Sequence, residues 1–151
     1  MNYLRNADDL MNKYAHNQAC IFEQASRDNL PSYSFIKMYM CSKKVTDLDK
    51  IELVSDDEIY LPIKNKIKKH GSVLSSNMMH WIGYIYRSLS YLYDVSSRTL
   101  FYEVPPKYLV SIYPLYHSLD PVKAASKIYE EKLKTDKTNI DYIVNLMKQI
   151  Y

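Results

Sequence analysis

Glycine is nearly missing from this chain: Gly71 and Gly83 are the only two in 151 residues. Neither follows an Asn or Asp, so the two-residue hairpin signals do not occur. Sheets depend on such tight reversals, and their scarcity points to an all-helical fold. Cysteine is just as sparse. Cys20 and Cys41 are too few for a disulfide framework or a metal site, and their apolar neighbours predict buried free thiols. Free thiols imply a reducing compartment, hence the cytoplasm. Met1-Asn2-Tyr3-Leu4-Arg5-Asn6 lacks the apolar stretch of a signal peptide, and no run approaches the roughly 18 apolar residues of a membrane span. Enzyme signatures are lacking too. There is no glycine-rich phosphate loop, no nucleophile elbow and no zinc-type ligand spacing, and no Arg-x-x-x-x-His follows Arg87 or Arg98. The expectation is a non-enzymatic protein without metal or cofactor.

Tyrosine is abundant. Sixteen tyrosines stand against three phenylalanines, although both are encoded by AT-rich codons, so a ring carrying a hydroxyl is favoured. The net charge of +3, mostly from lysine, does not by itself call for nucleic acid. A chain of this length buries about two thirds of its unfolded surface and needs no staple. Length predicts one helical domain over 1–151, with residues 1–54 a possible N-terminal helical subdomain.

Capping residues and apolar spacing predict the helices. Asn6 caps a first helix with Leu10, Met11 and Tyr14 on its apolar face, and a second covers about 18–28. Asn29-Leu30-Pro31 interrupts, and Ser32 caps a third helix through about Ser42 that buries Phe35, Ile36, Tyr39 and Met40. Thr46-Asp47 opens a short helix, while Ile51–Val54 reads as extended. Ser55-Asp56-Asp57-Glu58 is a capping box for a helix carrying Ile59, Ile63 and Ile67, bent at Pro62 and ended by Gly71. Ser96-Ser97 is a further cap. Arg98–Val104 alternates as a strand would. Pro105-Pro106 and Asp120-Pro121 start two more helices, the first kinked or ended by Pro114, and Thr138–Asp141 opens a last one.

The most informative stretch is a long helix over about 76–94, around which the bundle is expected to form. At 100° per residue Trp81, Ile82, Ile85, Tyr86, Leu89, Leu92 and Tyr93 fall on one half, with Met78 and Met79. His80, Gly83, Tyr84, Arg87, Tyr91 and Asp94 fall on the other, with Ser76, Asn77, Ser88 and Ser90. An arginine beside phenols can take a phosphate or carboxylate in a planar two-point geometry, and His80 can supply a proton near neutral pH. The alternative is a helix packed under a second layer, where Arg87 meets an acid and the tyrosines cover it. Tyr108, Tyr113, Tyr116 and His117 form a second aromatic group, suited either to a protein interface or to filling the core.

Nucleic acid is a second possibility. The helices around Asn29-Leu30-Pro31 could form a helix-turn-helix, with Lys37, Lys43 and Lys44, while Lys64, Lys66, Lys68 and Lys69 could touch phosphates. The candidate reading helix has no Arg, Asn or Gln for two-point base contacts. A third possibility is an enzyme acting on a phosphate or nucleotide through His80 and Arg87.

Three motifs carry a resemblance. His80-Trp81-Ile82-Gly83-Tyr84-Ile85-Tyr86-Arg87 continues into Tyr91-Leu92-Tyr93-Asp94-Val95-Ser96-Ser97; Pro106-Lys107-Tyr108-Leu109 and Tyr116-His117-Ser118-Leu119-Asp120-Pro121 follow. Over about residues 55–130 the chain resembles small bacterial proteins of toxin–antitoxin-like gene clusters, encoded beside ADP-ribosyltransferase-like toxins. The resemblance implies an antitoxin or accessory role and carries over no catalytic residue. The expected function is therefore neutralisation of a cognate toxin by protein contact, through His80, Tyr84, Arg87, Tyr91, Tyr113, Tyr116 and His117.

Overall fold

The computed structural model describes residues 2–49, 56–134 and 147–148. Among these no strand occurs. The elements are α1 (Asn2–Arg27), α2 (Ser32–Met40), α3 (Lys43–Asp49), α4 (Asp56–Lys66), α5 (Ser76–Tyr93), α6 (Ser97–Glu103), α7 (Pro106–Tyr116) and α8 (Pro121–Ile128). A π-helical turn, Tyr129–Lys134, continues α8. Ile51–Val54, the box at Ser55 and the cap at Thr138–Asp141 lie outside the described residues, although Met147 and Lys148 are helical.

The bundle is organised on α1 and α5, which pack along one another. Gly83 makes this possible. A Cβ there would lie 2.8 Å from the Phe22 ring, 2.9 Å from the Gln18 carbonyl oxygen and 3.0 Å from Ala19 Cα. Two of these are backbone atoms of α1, which a rotamer change cannot move. Ala15, Ala19 and Ala25 supply the small surface on the α1 side, all fully buried. Phe22 then meets Phe35 and Tyr39 of α2 edge-on, with ring centroids 5.4 and 5.0 Å apart. One hydrophobic cluster runs from Ile21 through Trp81, Ile82, Tyr86 and Leu89 to Ile128 and Leu133, so the N-terminal helices share their core with the C-terminal ones.

Several expectations are corrected. The two predicted N-terminal helices are one, Asn2–Arg27, so Asn6 lies within a helix and not at its start. Nothing between residues 6 and 18 breaks a helix: there is no Pro or Gly, and Met11, Ala15, Gln18, Ala19 and Phe22 form one continuous buried face. Ser32 is not the cap of α2; Pro31 is, without a side-chain bond. The Ser32 hydroxyl accepts instead from Leu74 N at 2.7 Å, and Ser26 Oγ donates to the Leu74 carbonyl at 2.7 Å. These bonds draw the loop before α5 across α1 and α2. α3 starts at Lys43, before Thr46-Asp47, with Ser42 Oγ accepting from Val45 N at 3.2 Å. α4 ends five residues ahead of Gly71, whose φ of +136° places the loop over Pro31. The alternation at Arg98–Val104 is helical: Leu100 and Val104, four apart, are both fully buried, while Tyr102 is 57% exposed. Cys20 is exposed and Cys41 half-buried, so neither thiol is a core residue, and among the described residues neither is in a disulfide.

Other expectations hold. α5 is the central helix, capped by Ser75 Oγ accepting from Met78 N at 3.2 Å and closed by Asp94 in the left-handed region. Ser96 caps α6, and Asp120 caps α8 with Pro121 at its first position. Pro114, by contrast, does not end α7, which continues to Tyr116.

Candidate functional site

The face of α5 that sequence patterning marks as polar is largely an interior surface. Arg87, Ser88 and Ser90 are buried along with Gly83. The Arg87 guanidinium reaches three other helices. Nη1 donates to Asp49 Oδ1 of α3 at 2.7 Å, Nε and Nη2 donate to Gln18 Oε1 of α1 at 3.0 and 2.8 Å, and Nη2 donates to Ser97 Oγ of α6 at 3.3 Å. Asp49 in turn accepts from Ser97 N at 2.9 Å and from Ser97 Oγ at 2.6 Å. Gln18 Nε2 donates to the Gly83 carbonyl at 3.0 Å, and Tyr39 OH donates to Gln18 Oε1 at 3.3 Å. Arg87 thus spends four of its five N–H donors on the protein itself. Of the two readings of this face, the packed layer in which Arg87 meets an acid describes the geometry.

The sequence-predicted contact residues fall into separate groups: Arg87 and Tyr91 line one cavity, and Tyr113 and His117 stack at the end of α7. Tyr84 is half-buried, donating to Asn12 Oδ1 at 2.9 Å, and burial raises its pKa, with a smaller push from Asp120. His80 lies two turns before Arg87, about 10 Å along the axis. Its ring meets His16 edge-on at 6.0 Å, and its Nδ1 is buried with no hydrogen-bond partner. A cavity of about 320 Å³ lies over Arg87, lined also by Tyr14, Leu48, Asp49, Ser90, Tyr91 and Asp94. His80 is not among the walls of this cavity. No group of three His, Cys, Asp or Glu side chains among the described residues could hold a metal ion, and no helix among them is long and apolar enough to cross a membrane.

The second aromatic group is assembled, at the end of α7. Tyr113 stacks on His117 at 4.6 Å and meets Trp81 edge-on at 5.5 Å, while His117 Nδ1 lies 2.7 Å from the Tyr113 carbonyl oxygen. Tyr116 donates to Glu131 Oε1 at 2.6 Å and Tyr108 to Oε2 of the same carboxylate. The Tyr108 bond, then the Tyr116 bond, hold the Glu131 carboxyl below the usual glutamate range. Lys132 sits 4.4 Å over the Tyr108 ring, and Tyr129 stacks on Tyr93 at 4.0 Å. The π-helical turn is therefore fastened to α5 and α7, and the rings are held in place at the surface. Beside them on α7, Leu115 is 71% exposed, and on α8 Val122 is 44% exposed.

The lysines of the nucleic-acid reading have different surroundings. Lys44 pairs with Glu58 at 3.7 Å and Lys64 with Asp28 at 3.3 Å, while Lys37 and Lys66 flank an apolar groove between α2 and α4. Sequence reasoning missed Gln18, Asp49 and Glu131, which hold the arginine and the tyrosines. No local signal marks them, because each finds its partner 15 or more residues away. No family model, no curated protein and no solved structure matches the chain.

Proposed function

We propose that this protein acts by binding another protein, as an antitoxin that neutralises a cognate toxin through the aromatic end of α7. The observation that carries the reading is the set of rings at Tyr113, Tyr116 and His117, held by Trp81 and Glu131 beside an exposed Leu115. Rings already fixed lose little entropy on binding and present large amphipathic area, the character of interface anchors. The toxin as partner rests on the motifs at residues 80–97, 106–109 and 116–121. Several motif residues have structural tasks: Gly83 admits α1, Arg87 ties four helices, and Asp120-Pro121 opens α8. Tyr116 and His117 of the last motif, with the neighbouring Tyr113 and Leu115, are the surface offered to the partner.

The test is co-purification with the product of the adjacent gene, followed by growth rescue on co-expression. Leu115→Glu places a charge where an apolar anchor is expected, at a position too exposed to disturb folding. It should weaken the complex by at least about tenfold, or 1.4 kcal/mol. Equal affinity of a folded L115E protein would remove α7 from the interface, and no complex at all with the wild type would remove the antitoxin reading.

A further inference from the structure

The groove between α2 and α4 does not take part in the α7 surface. It has a volume of about 370 Å³ and lies open to solvent, lined by Lys37, Met38, Cys41, Pro62, Ile63 and Lys66. Its floor is apolar: Ile63 is buried, and Met38 and Cys41 are half-buried. Its rims are cationic on both sides, Lys37 from α2 and Lys66 from α4, both exposed. Neither lysine is in an ion pair among the described residues, whereas Lys44 and Lys64 each face an acid. Among the described residues no carboxylate lines the groove.

We infer that this groove is a docking site for an acidic amphipathic helix of a partner protein. An apolar trough between two helices takes a ridge of aliphatic side chains at i, i+3/i+4 and i+7, as in helix-in-groove recognition. Lysines on both rims select carboxylates on the two flanks of that ridge and disfavour a basic helix. The apolar floor separates this occupant from nucleic acid, whose phosphates require polar donors along a tracked backbone. The open side suits a continuous ridge better than an enclosed small molecule. The inference is independent of the α7 reading.

Cys41 on the floor gives a direct readout. In a Cys20→Ser background, Cys41 is alkylated with iodoacetamide in the presence of a stapled helical peptide of about 15 residues, with Leu at i, i+3/i+4 and i+7 and Glu on both flanks. At ten times its Kd the peptide should slow Cys41 labelling about tenfold. Lys37→Glu/Lys66→Glu, whose fold is checked by circular dichroism, should lose this protection and acquire it from the same peptide with Lys in place of Glu. Leu115→Glu should leave the protection intact, which separates this site from the α7 surface. Absence of protection by the Glu peptide overturns the inference, as does equal protection by both peptides in either background. Protection by duplex DNA or by phosphatidylglycerol vesicles, where the Glu peptide gives none, would assign the groove to those ligands instead.

Discussion

Replacing Arg87 with alanine should unfold the protein more readily rather than leave it folded with a defective surface. The side chain is 5% exposed and its partner Asp49 12% exposed, with 2.7 Å between Nη1 and Oδ1. R87A removes the cation and leaves a largely buried carboxylate facing Ser90 and Ser97. Breaking a buried ion pair on one side costs about 3–5 kcal/mol, because the remaining charge stays desolvated. Three further hydrogen bonds to Gln18 and Ser97 disappear at the same time. Against a typical stability of about 5–15 kcal/mol this is a large fraction. At about 2–4 °C per kcal/mol for a chain of this size it lowers Tm by about 6–20 °C. Urea and thermal unfolding followed by circular dichroism measure both quantities. R87M/D49N keeps an acceptor for Ser97 N while removing both charges. It should be more stable than the sum of the single changes predicts, by about 0.5–3 kcal/mol. An R87A protein within about 0.5 kcal/mol of wild type, the range of ordinary surface substitutions, would refute the buried-network account.

Gly83→Ala should destabilise despite alanine's better helix propensity of about 1 kcal/mol. The new methyl meets the α1 backbone, an overpacking costing about 1–3 kcal/mol, and Gly83→Ser should be worse; denaturant midpoints decide. Tyr86→Phe removes the 2.6 Å bond from a fully buried hydroxyl to the Val104 carbonyl and should cost about 1–3 kcal/mol in the same assay. Glu131 should titrate below the usual glutamate range by NMR and move up towards it in Y108F/Y116F. Because its folded pKa is depressed, its contribution to stability is present above the unfolded pKa and is lost as pH falls through the folded one. The wild-type advantage over Y108F/Y116F should therefore narrow under acid conditions, and an advantage independent of pH would contradict the clamp.

Periodicity and punctuation settle much of this fold. The 3.6-residue spacing from Met78 to Tyr93, the serine at 96 and the Asp-Pro at 120–121 are local signals that act within one or two turns of chain, so α5, α6 and α8 begin where such signals stand. The shortage of glycine, with its lack of hairpin turns, agrees with a helical chain. What spacing cannot reveal is what faces a polar stripe. On the wheel Arg87, Gly83, Ser88 and Ser90 form a surface facing away from the apolar half, yet Gln18, Asp49 and Ser97 turn it inward by satisfying its hydrogen bonds. Those partners lie 69, 38 and 10 residues from Arg87, beyond the reach of any local pattern. The same separation explains Ser32, which caps a helix by sequence logic and binds Leu74 in the folded chain. The residues by themselves determined helices and apolar faces. Only the tertiary structure decided that Arg87 belongs to the core, that the rings of α7 are fixed at the surface, and that two lysines flank one groove. A polar side chain is buried when a distant segment meets its hydrogen bonds, and which segment does so is known only once the helices are packed.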